Sequence, residues 1–197
     1  MVIDLDKCTG CGTCMVACAA ENNVPVRADQ TDKERTITWM NLYKITNGKK
    51  FPHTEVSYFP RPCMHCDHVS PRMRGVVEKC TFCHHRLMRA KNQAYAEDRR
   101  ELEEGEYVTA CTEACPAGAI NFGDLNNPKH KVSQLIKHPY AFRLLERLGT
   151  GPKVYYLSSR DWVRKLADNF LPGEYEPVVN RTWAEDEWST KPGRDQF

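Results

Sequence analysis

The stretch that decides the fold is Cys8-Thr-Gly-Cys-Gly-Thr-Cys-Met-Val-Ala-Cys18, residues 8–18. Its four cysteines are separated by two, two and three residues, a spacing typical of iron–sulfur cluster ligands. The first three thiols can converge on one cluster because the loop between them is short. Gly10 and Gly12 ease the backbone around such a cluster, since glycine adopts conformations that other residues avoid. The stretch therefore predicts a cluster-binding loop.

Cys18 is expected to serve a different cluster from the three cysteines before it. Residues 15–20 are typical of a helix, which turns Cys18 away from the first cluster. In ferredoxins with two clusters, the fourth cysteine of such a run ligates the other cluster. A second group of cysteines is therefore predicted further along the chain.

Four further cysteines complete this arrangement. They lie in Cys80-Thr-Phe-Cys83 and in Cys111-Thr-Glu-Ala-Cys115-Pro116, where the proline after the last cysteine matches the ferredoxin-type run. The crossover rule assigns the first cluster to Cys8, Cys11, Cys14 and Cys115. It assigns the second cluster to Cys18, Cys80, Cys83 and Cys111. The chain is thus predicted to hold two [4Fe–4S] clusters, and their binding contributes to the free energy of folding.

Cys63 and Cys66 form the remaining pair. They cannot complete a third four-cysteine cluster, because the chain has only ten cysteines. His65 and His68 are close enough in sequence to suggest a mixed site, but adjacent residues such as His65 and Cys66 rarely point at the same ion. The sequence leaves two alternatives for the pair, which are free thiols near the cluster core or a metal site with zinc or an unusual cluster.

Disulfides and structural zinc are the alternatives for the cysteines as a whole. A disulfide scaffold is typical of secreted proteins, and the residues before Cys8 leave no room for a signal peptide. Paired Cys-x2-Cys units also bind zinc, but the run from Cys8 to Cys18 is more specific to iron–sulfur clusters. The spacing therefore favours clusters.

The composition argues against several classes of function. The formal net charge is only +2, which gives no general case for nucleic-acid binding. No apolar run reaches the roughly 18 residues of a membrane-crossing helix. The sequence shows no phosphate-binding loop, no serine nucleophile elbow and no zinc-protease motif. No residue is predicted to be catalytic, and electrons are the expected cargo.

The fold class is predicted to be α+β, with a pseudo-duplicated bacterial-type 2[4Fe–4S] ferredoxin core over residues 1–127. Strand candidates lie at 2–5, before the first cysteines, and at 119–123, after the last ones. A β-hairpin insertion is expected at about 35–60. There Ile37, Trp39, Tyr43 and Ile45 share one parity, and Asn47-Gly48 is typical of a turn.

Two more segments are predicted from composition. A charged insertion at about 86–106 is expected to be a solvated helix and loop. The basic run His84-His85-Arg86 before it is compatible with charge compensation of a cluster and equally with a plain surface patch. Residues 128–197 are predicted to form a C-terminal segment. It is expected to contain helical segments over 132–148, interrupted by Pro139, then a short strand at 154–157 and an extended irregular tail. The aromatic residues of that tail favour docking on a partner.

Four segments of the sequence resemble those of a known family. They are Cys-Thr-Gly-Cys-Gly-Thr-Cys at 8–14, Arg-Pro-Cys-Met-His-Cys-Asp at 61–67, Gly-Val-Val-Glu-Lys-Cys-Thr-Phe-Cys at 75–83 and Ala-Cys-Thr-Glu-Ala-Cys-Pro-Ala-Gly-Ala-Ile at 110–120. They resemble the ferredoxin-like iron–sulfur subunit of the dimethyl sulfoxide reductase, polysulfide reductase and alternative complex III group, over about residues 1–160. The resemblance implies a non-catalytic subunit that relays electrons between a molybdopterin-type catalytic or related large subunit and an integral membrane quinone-reactive subunit or a haem protein.

The chain departs from that family in the number of its cysteine groups. Members usually carry four groups and up to four clusters. Here the second group stops after Cys66, Pro71 stands where its third cysteine is expected, and the third group is absent. The departure implies that two of the usual four clusters are missing, and that Cys63 and Cys66 are remnants of a lost site.

The resemblance also implies a peripheral place at the membrane, within a complex. The absence of a signal peptide favours the cytoplasmic face, whereas co-export with a partner that carries an export signal would give the periplasmic face. The alternative function is a structural scaffold, in which clusters or zinc ions only stabilise the fold while the chain bridges its partners. A diffusing soluble ferredoxin is disfavoured because the chain lacks a strong negative charge.

Overall fold

A four-stranded sheet contains the first residues of the chain. Its strands are β1 (Val2–Asp4), β4 (Ile120–Asn121), β5 (Ala141–Arg143) and β6 (Tyr155–Leu157), in the order β4-β1-β6-β5. The structure is a computed structural model, described for residues 1–24, 39–66, 79–144, 146–168 and 179–180. β1 pairs antiparallel with β4 and parallel with β6, and β5 pairs antiparallel with β6. The strands predicted at 2–5, 119–123 and 154–157 are thus confirmed, each at slightly shorter length.

The helices follow the cysteine-bearing loops or connect the strands. They are α1 (Thr13–Glu21), α2 (His84–Ala96), α3 (Ala110–Glu113), α4 (Lys131–Leu135) and α5 (Asp161–Asp168), with a 3₁₀ turn at Glu146–Leu148. α1 begins directly after Gly12, whose φ is 78°, and α2 begins after Cys83, whose φ is 53°. Left-handed residues at both points turn the chain sharply from a ligand loop into a helix. The helix predicted at 15–20 is confirmed.

The predicted hairpin is present as a second sheet. It consists of β2 (Met40–Thr46) and β3 (Val56–Pro62), with β7 (Val179–Asn180) beside β2. Asn47 and Gly48 begin its turn, but the loop extends over residues 47–55 instead of two residues. The Asn47 side chain orders this loop, because it accepts hydrogen bonds from Lys49 N and Glu55 N and donates one to His53 O at 3.0 Å. Ile37 lies outside the described residues.

The core joins the two sheets. Ile3 and Leu5 are fully buried against Phe59 of β3 and Tyr156 of β6. The rings of Phe59 and Tyr156 lie 4.4 Å apart, and the Tyr156 hydroxyl donates a hydrogen bond to Pro60 O at 3.2 Å. Each such apolar side chain contributes about 1.5–3 kcal/mol when buried. The hairpin is therefore part of the core, and it is held close to the cysteine loops.

Arg160 also links the sheets, at the point just before α5. Its guanidinium donates to Leu5 O at 3.1 Å and to Val56 O at 2.6 Å, and it forms an ion pair with Asp6. Although burial opposes its ionisation, hydrogen bonds from Ser159, Ser158 and Arg160 hold the pKa of Asp6 below its usual value. The end of β1, the start of β3 and the start of α5 are thus tied together by one side chain.

The C-terminal segment differs from its prediction. Helical segments are expected over 132–148 on both sides of Pro139. The structure has α4 before Pro139, but after it Ala141–Arg143 pairs with β6, and a 3₁₀ turn follows. Pro139, which removes a backbone donor, lies between the helix and that strand. None of the helices in the described ranges is long and apolar enough to cross a bilayer. The predicted docking tail beyond residue 180 lies outside the described residues.

Candidate metal centres

The four cysteines predicted for the first cluster line one cleft. Cys8, Cys11 and Cys14 enter it from the loop before α1 and from the start of that helix, and Cys115 enters from the loop after α3. The cleft has about 340 Å³ of empty space, part of which is open to solvent. Its remaining wall includes residues of the hairpin and of the 117–120 segment.

The thiols of this cleft influence one another electrostatically. Burial raises the pKa of Cys8, with a further contribution from the negative charges of Cys115 and Cys11. Burial and the charges of Cys111, Cys8, Cys11 and Cys115 raise the pKa of Cys14 to about 12. A hydrogen bond with the Thr13 hydroxyl lowers the pKa of the exposed Cys11. Without a bound cation, Cys8 and Cys14 therefore stay protonated at neutral pH, whereas a coordinated metal holds such thiols as thiolates.

The four cysteines predicted for the second cluster also lie near one another. Cys18 is on α1, Cys83 directly precedes α2 and Cys111 is on α3, and all three are buried. Burial, followed by the charges of Cys80, Cys111 and Cys83, raises the pKa of Cys18 to about 12. The pKa of Cys80 is likewise raised to about 12 by burial, with contributions from Cys111, Cys63 and Cys83.

Hydrogen-bond donors surround the sulfurs of the second group. Phe82 N donates to Cys80 Sγ at 3.4 Å, and the Thr109 hydroxyl lies 3.2 Å from Cys111 Sγ. Asn22 Nδ2 lies 3.6 Å from Cys83 Sγ and 3.9 Å from Cys18 Sγ. In the first group, Ala119 N donates to Cys115 Sγ at 3.3 Å. Such donors stabilise negative charge on sulfur.

The donor sets fit an iron–sulfur group better than a single ion. All ten cysteines are free thiols, so the disulfide alternative is not realised. Within the described ranges, no three side chains of Cys, His, Asp or Glu are placed to hold one metal ion. A cluster of several irons spreads its ligands more widely than one ion does, and thiolates are the ligands that it requires. The two groups of four thiols fit that requirement.

A network of charges holds the three helices around the second group. Arg86 of α2 donates two hydrogen bonds to the Glu21 carboxylate of α1, at 2.6 and 2.7 Å, and one to Glu113 of α3 at 2.5 Å. His85 contacts the same Glu21 carboxylate at 2.5 Å. These hydrogen bonds lower the pKa of Glu21 to about 2. The sequence suggested two roles for the basic run 84–86, charge compensation of a cluster or a plain surface patch. The contacts of His85 and Arg86 support neither role, because both side chains bind carboxylates of the neighbouring helices.

Cys63 and Cys66 lie beside the second group as half-buried thiols. His65 between them stacks on Phe82 with ring centroids 3.4 Å apart, and burial lowers the pKa of His65 to about 4. The charge of Cys63 contributes to the raised pKa of Cys80, which places the two thiols close together. His68 lies outside the described residues. The choice between free thiols and a further metal site stays a prediction.

Two contacts of the site were missed by sequence reasoning. Gly10 has a φ of 74°, as its predicted role requires, and a Cβ there would lie 2.5 Å from the ring of Tyr58. The hairpin thus covers the first ligand loop directly. Tyr107 donates a hydrogen bond to Phe82 O between Cys80 and Cys83. Neither contact has a local sequence signal, because each joins segments far apart in the chain.

The chain is similar in sequence to a family of known iron–sulfur proteins. Residues 1–20 match the family model described as 4Fe-4S binding domain. The chain is 46% identical to the menaquinone reductase iron-sulfur cluster-binding subunit of Nitratidesulfovibrio vulgaris, over 90% of this chain and 94% of that protein. It is 34% identical to the arsenate respiratory reductase iron-sulfur subunit ArrB of a Shewanella species, over 78% of this chain and 60% of that protein. It is also 28% identical to the protein NrfC of Escherichia coli, over 79% of this chain and 78% of that protein.

The alignment with the menaquinone reductase subunit shows a difference in length. It spans 243 positions, more than the 197 residues of this chain. Part of the relative's sequence therefore has no counterpart here.

Proposed function

Because the chain belongs to the family of iron–sulfur cluster-binding subunits of respiratory reductase complexes, we propose that it relays electrons through two [4Fe–4S] clusters. Its partners are a molybdopterin-type or related large subunit and an integral membrane subunit that reacts with quinone, or a haem protein. The chain associates with the membrane peripherally, through these partners. It transfers electrons between the other subunits of the complex and does not itself bind or convert the substrate.

In this proposal the chain's own residues hold, shield and connect the clusters. Cys8, Cys11, Cys14 and Cys115 hold the first cluster, and Leu42 and Pro60, which line the same cleft, limit the access of water to it. Cys18, Cys80, Cys83 and Cys111 hold the second. A bound cluster of this type accepts and releases one electron at a potential that its surroundings set.

The observation that carries the proposal is the position of Cys18. Although it belongs to the run that begins at Cys8, its sulfur shares the Asn22 amide with Cys83, because Asn22 Nδ2 lies 3.9 Å from Cys18 Sγ and 3.6 Å from Cys83 Sγ. A single four-cysteine site would group Cys18 with its own run instead. The crossover is the arrangement of ferredoxins with two clusters, in which the two sites lie close enough to exchange electrons.

The length of the chain supports two clusters in place of the family's usual four. The menaquinone reductase subunit has sequence that this chain lacks, and the cysteine pattern breaks off between Cys66 and Cys80. A lost pair of cysteine groups accounts for both facts. The resulting relay has two clusters between its donor and its acceptor.

A measurement of metal content tests the proposal. The chain purified without oxygen should contain about eight iron and eight sulfide ions, and reduction should give the low-temperature paramagnetic signals of two clusters. Cys18→Ser should remove the signal of the second cluster and about half of the iron. Cys63→Ser is the matched control and should leave the iron content unchanged. Stoichiometric zinc without visible absorption would contradict the proposal.

The structural scaffold remains the second candidate, favoured by one observation. Cys14, Cys18 and Cys111 are part of the main hydrophobic core, so metal at these thiols stabilises the fold whether or not it carries electrons. Redox titration of the intact complex separates the two functions. Clusters that change their oxidation state during turnover are relays, whereas clusters that never change it would favour the scaffold.

A further inference from the structure

Asn22 is placed where α1 ends, four residues after Cys18. Its side-chain amide donates a hydrogen bond to Cys18 O at 2.9 Å, and its backbone N–H contacts the same carbonyl at 3.2 Å. The same Nδ2 atom also lies 3.6 Å from Cys83 Sγ and 3.9 Å from Cys18 Sγ. Asn22 thus contacts two sulfurs that come from opposite halves of the cysteine pattern.

The surroundings fix which end of the amide faces the sulfurs. A carbonyl oxygen and two sulfurs converge on this point, and all three are acceptors when the thiols are deprotonated. An amide oxygen turned toward them would meet only negative or partly negative atoms. The NH₂ group has two hydrogens, so one can satisfy the carbonyl while the other points toward the sulfurs.

A donor in this position acts differently on the two oxidation states of a cluster. The reduced cluster carries one more negative charge, part of which resides on its ligand sulfurs. A hydrogen bond to these sulfurs therefore stabilises the reduced state more than the oxidised one and raises the reduction potential. Because Asn22 reaches two ligands of one site, both contacts act on the same cluster.

The first site has no corresponding amide among the described residues. Its side-chain donors include the Thr13 hydroxyl, which lies 3.3 Å from the sulfur of the exposed Cys11. Water competes for that sulfur, which weakens the influence of the hydroxyl. Asn22, in contrast, is half-buried next to the buried Cys18 and Cys83.

We propose that Asn22 is a positioning residue that raises the reduction potential of the cluster bound by Cys18, Cys80, Cys83 and Cys111. The proposal rests on the proposed function, since it requires that cluster to be present. It assigns the residue an electronic role in addition to its part in ending α1. It also makes the two clusters unequal, because no such amide lies at the first site among the described residues.

A potentiometric titration of the full chain, followed by low-temperature paramagnetic spectra, tests this role. Asn22→Leu removes the donor without adding charge and should shift the second cluster to a lower potential. Asn22→Asp replaces the NH₂ group by a negatively charged oxygen and should shift it further in the same direction. The signal that is absent in Cys18→Ser identifies the second cluster. Asn22→Gln, which retains the amide, should recover part of the shift.

Thr13→Val is the reciprocal control, and it should move only the potential of the first cluster. A purely structural role for Asn22 would reduce the occupancy of the second cluster and leave the potential of the retained fraction unchanged, which would overturn the inference. Unshifted potentials in both Asn22→Leu and Asn22→Asp would do the same. Failure of the proposed function looks different, because the unaltered chain would then show no second titrating signal.

Discussion

Gly10 shows how closely the hairpin is fitted to the first ligand loop. A methyl group at this residue would meet two atoms of the Tyr58 ring at 2.5 Å, in a backbone conformation with a φ of 74°. We expect Gly10→Ala to lower the free energy of unfolding by about 2–4 kcal/mol, since overpacking and left-handed strain add. Denaturant unfolding of the metal-loaded chain measures the change.

Gly12 provides the matched control for this prediction. Its φ is 78°, but nothing lies within 4 Å of a Cβ added there. Gly12→Ala should therefore cost only the backbone strain, about 1–2 kcal/mol. Equal losses of unfolding free energy for Gly10→Ala and Gly12→Ala would show that the Tyr58 ring does not clash with a side chain at residue 10. Replacement of Tyr58 by alanine should relieve most of the packing part of the Gly10→Ala defect.

At the scale of single residues, the sequence predicts the ligands but not their surroundings. The cysteines could be predicted because a cluster needs several thiols within a short loop, which leaves a local spacing. Asn22, Tyr58 and Glu21 have no such signal, because each acts on a segment that is distant in the sequence. The ligand assignment itself remains a prediction, to which the neighbours of Cys18 add support.

Helices α1, α2 and α3 are joined through Glu21 and Arg86. Glu21 has a pKa of about 2, well below its usual value, because Arg86 and His85 donate hydrogen bonds to its carboxylate. A carboxyl group with a depressed pKa contributes stability that is complete above its unfolded pKa and is lost as the pH falls toward the folded value. This contribution should therefore disappear between pH of about 4.5 and about 2.

Glu21→Gln tests this contribution. At neutral pH the variant should lose about 1–3 kcal/mol of unfolding free energy, since a charge-assisted pair is replaced by weaker hydrogen bonds. Between pH of about 5 and about 3, its stability should also fall less steeply than that of the unaltered chain. Unfolding curves over this range provide the measurement, with Glu101→Gln on the charged loop as the control. If the unfolding free energies of Glu21→Gln and Glu101→Gln changed with pH in the same way, Glu21 would have no special role in joining the helices.

At the scale of elements, most of the strands could be predicted, but not their pairing. The alternation around Tyr43 and Ile45 predicted the hairpin, because one face of that sheet packs on the core. Of the helical segments expected over 132–148, the one before Pro139 is confirmed as α4, whereas part of the one after it forms β5. The apolar residues after Pro139 belong to the four-stranded sheet, because pairing with β6 is more favourable for them than a helix. Pseudo-duplication of the core remains a prediction.

For the molecule as a whole, Arg160 is a side chain that connects distant segments. It binds Asp6, Leu5 O, Val56 O and the Ser57 hydroxyl, and so fastens β1 to the hairpin. Arg160→Ala should lower the unfolding free energy by about 2–4 kcal/mol, because several partly buried acceptors lose a charged donor. Thermal unfolding of the metal-loaded chain measures the loss.

Arg164 is the control for this prediction. Its hydrogen bonds, to Ser158 O and Asp161, stay within its own segment, and its guanidinium lies 4.9 Å from the centroid of the Tyr140 ring. Because it has fewer hydrogen bonds to distant segments than Arg160, Arg164→Ala should have the smaller effect. Arg160→Lys should recover only part of the loss, since an ammonium group cannot reach all four acceptors. If Arg160→Ala and Arg164→Ala were equally stable, the Arg160 contacts would add nothing specific to the link between the sheets.

The position of β1 and the first cysteines in the sequence also affects folding during synthesis. β1 and the thiols of residues 8–18 are synthesised well before their partners, and the Asp6–Ser158 contact alone spans 152 residues. At elongation rates of about 5–20 residues per second, these thiols wait for roughly five seconds or more before Cys115 is synthesised. Chains stalled on the ribosome before Cys111 should therefore acquire no stable cluster absorbance. Until Cys115 is available, the early thiols are open to oxidation or to a competing metal, so a full set of the proposed cluster ligands exists only after residue 115 has been made.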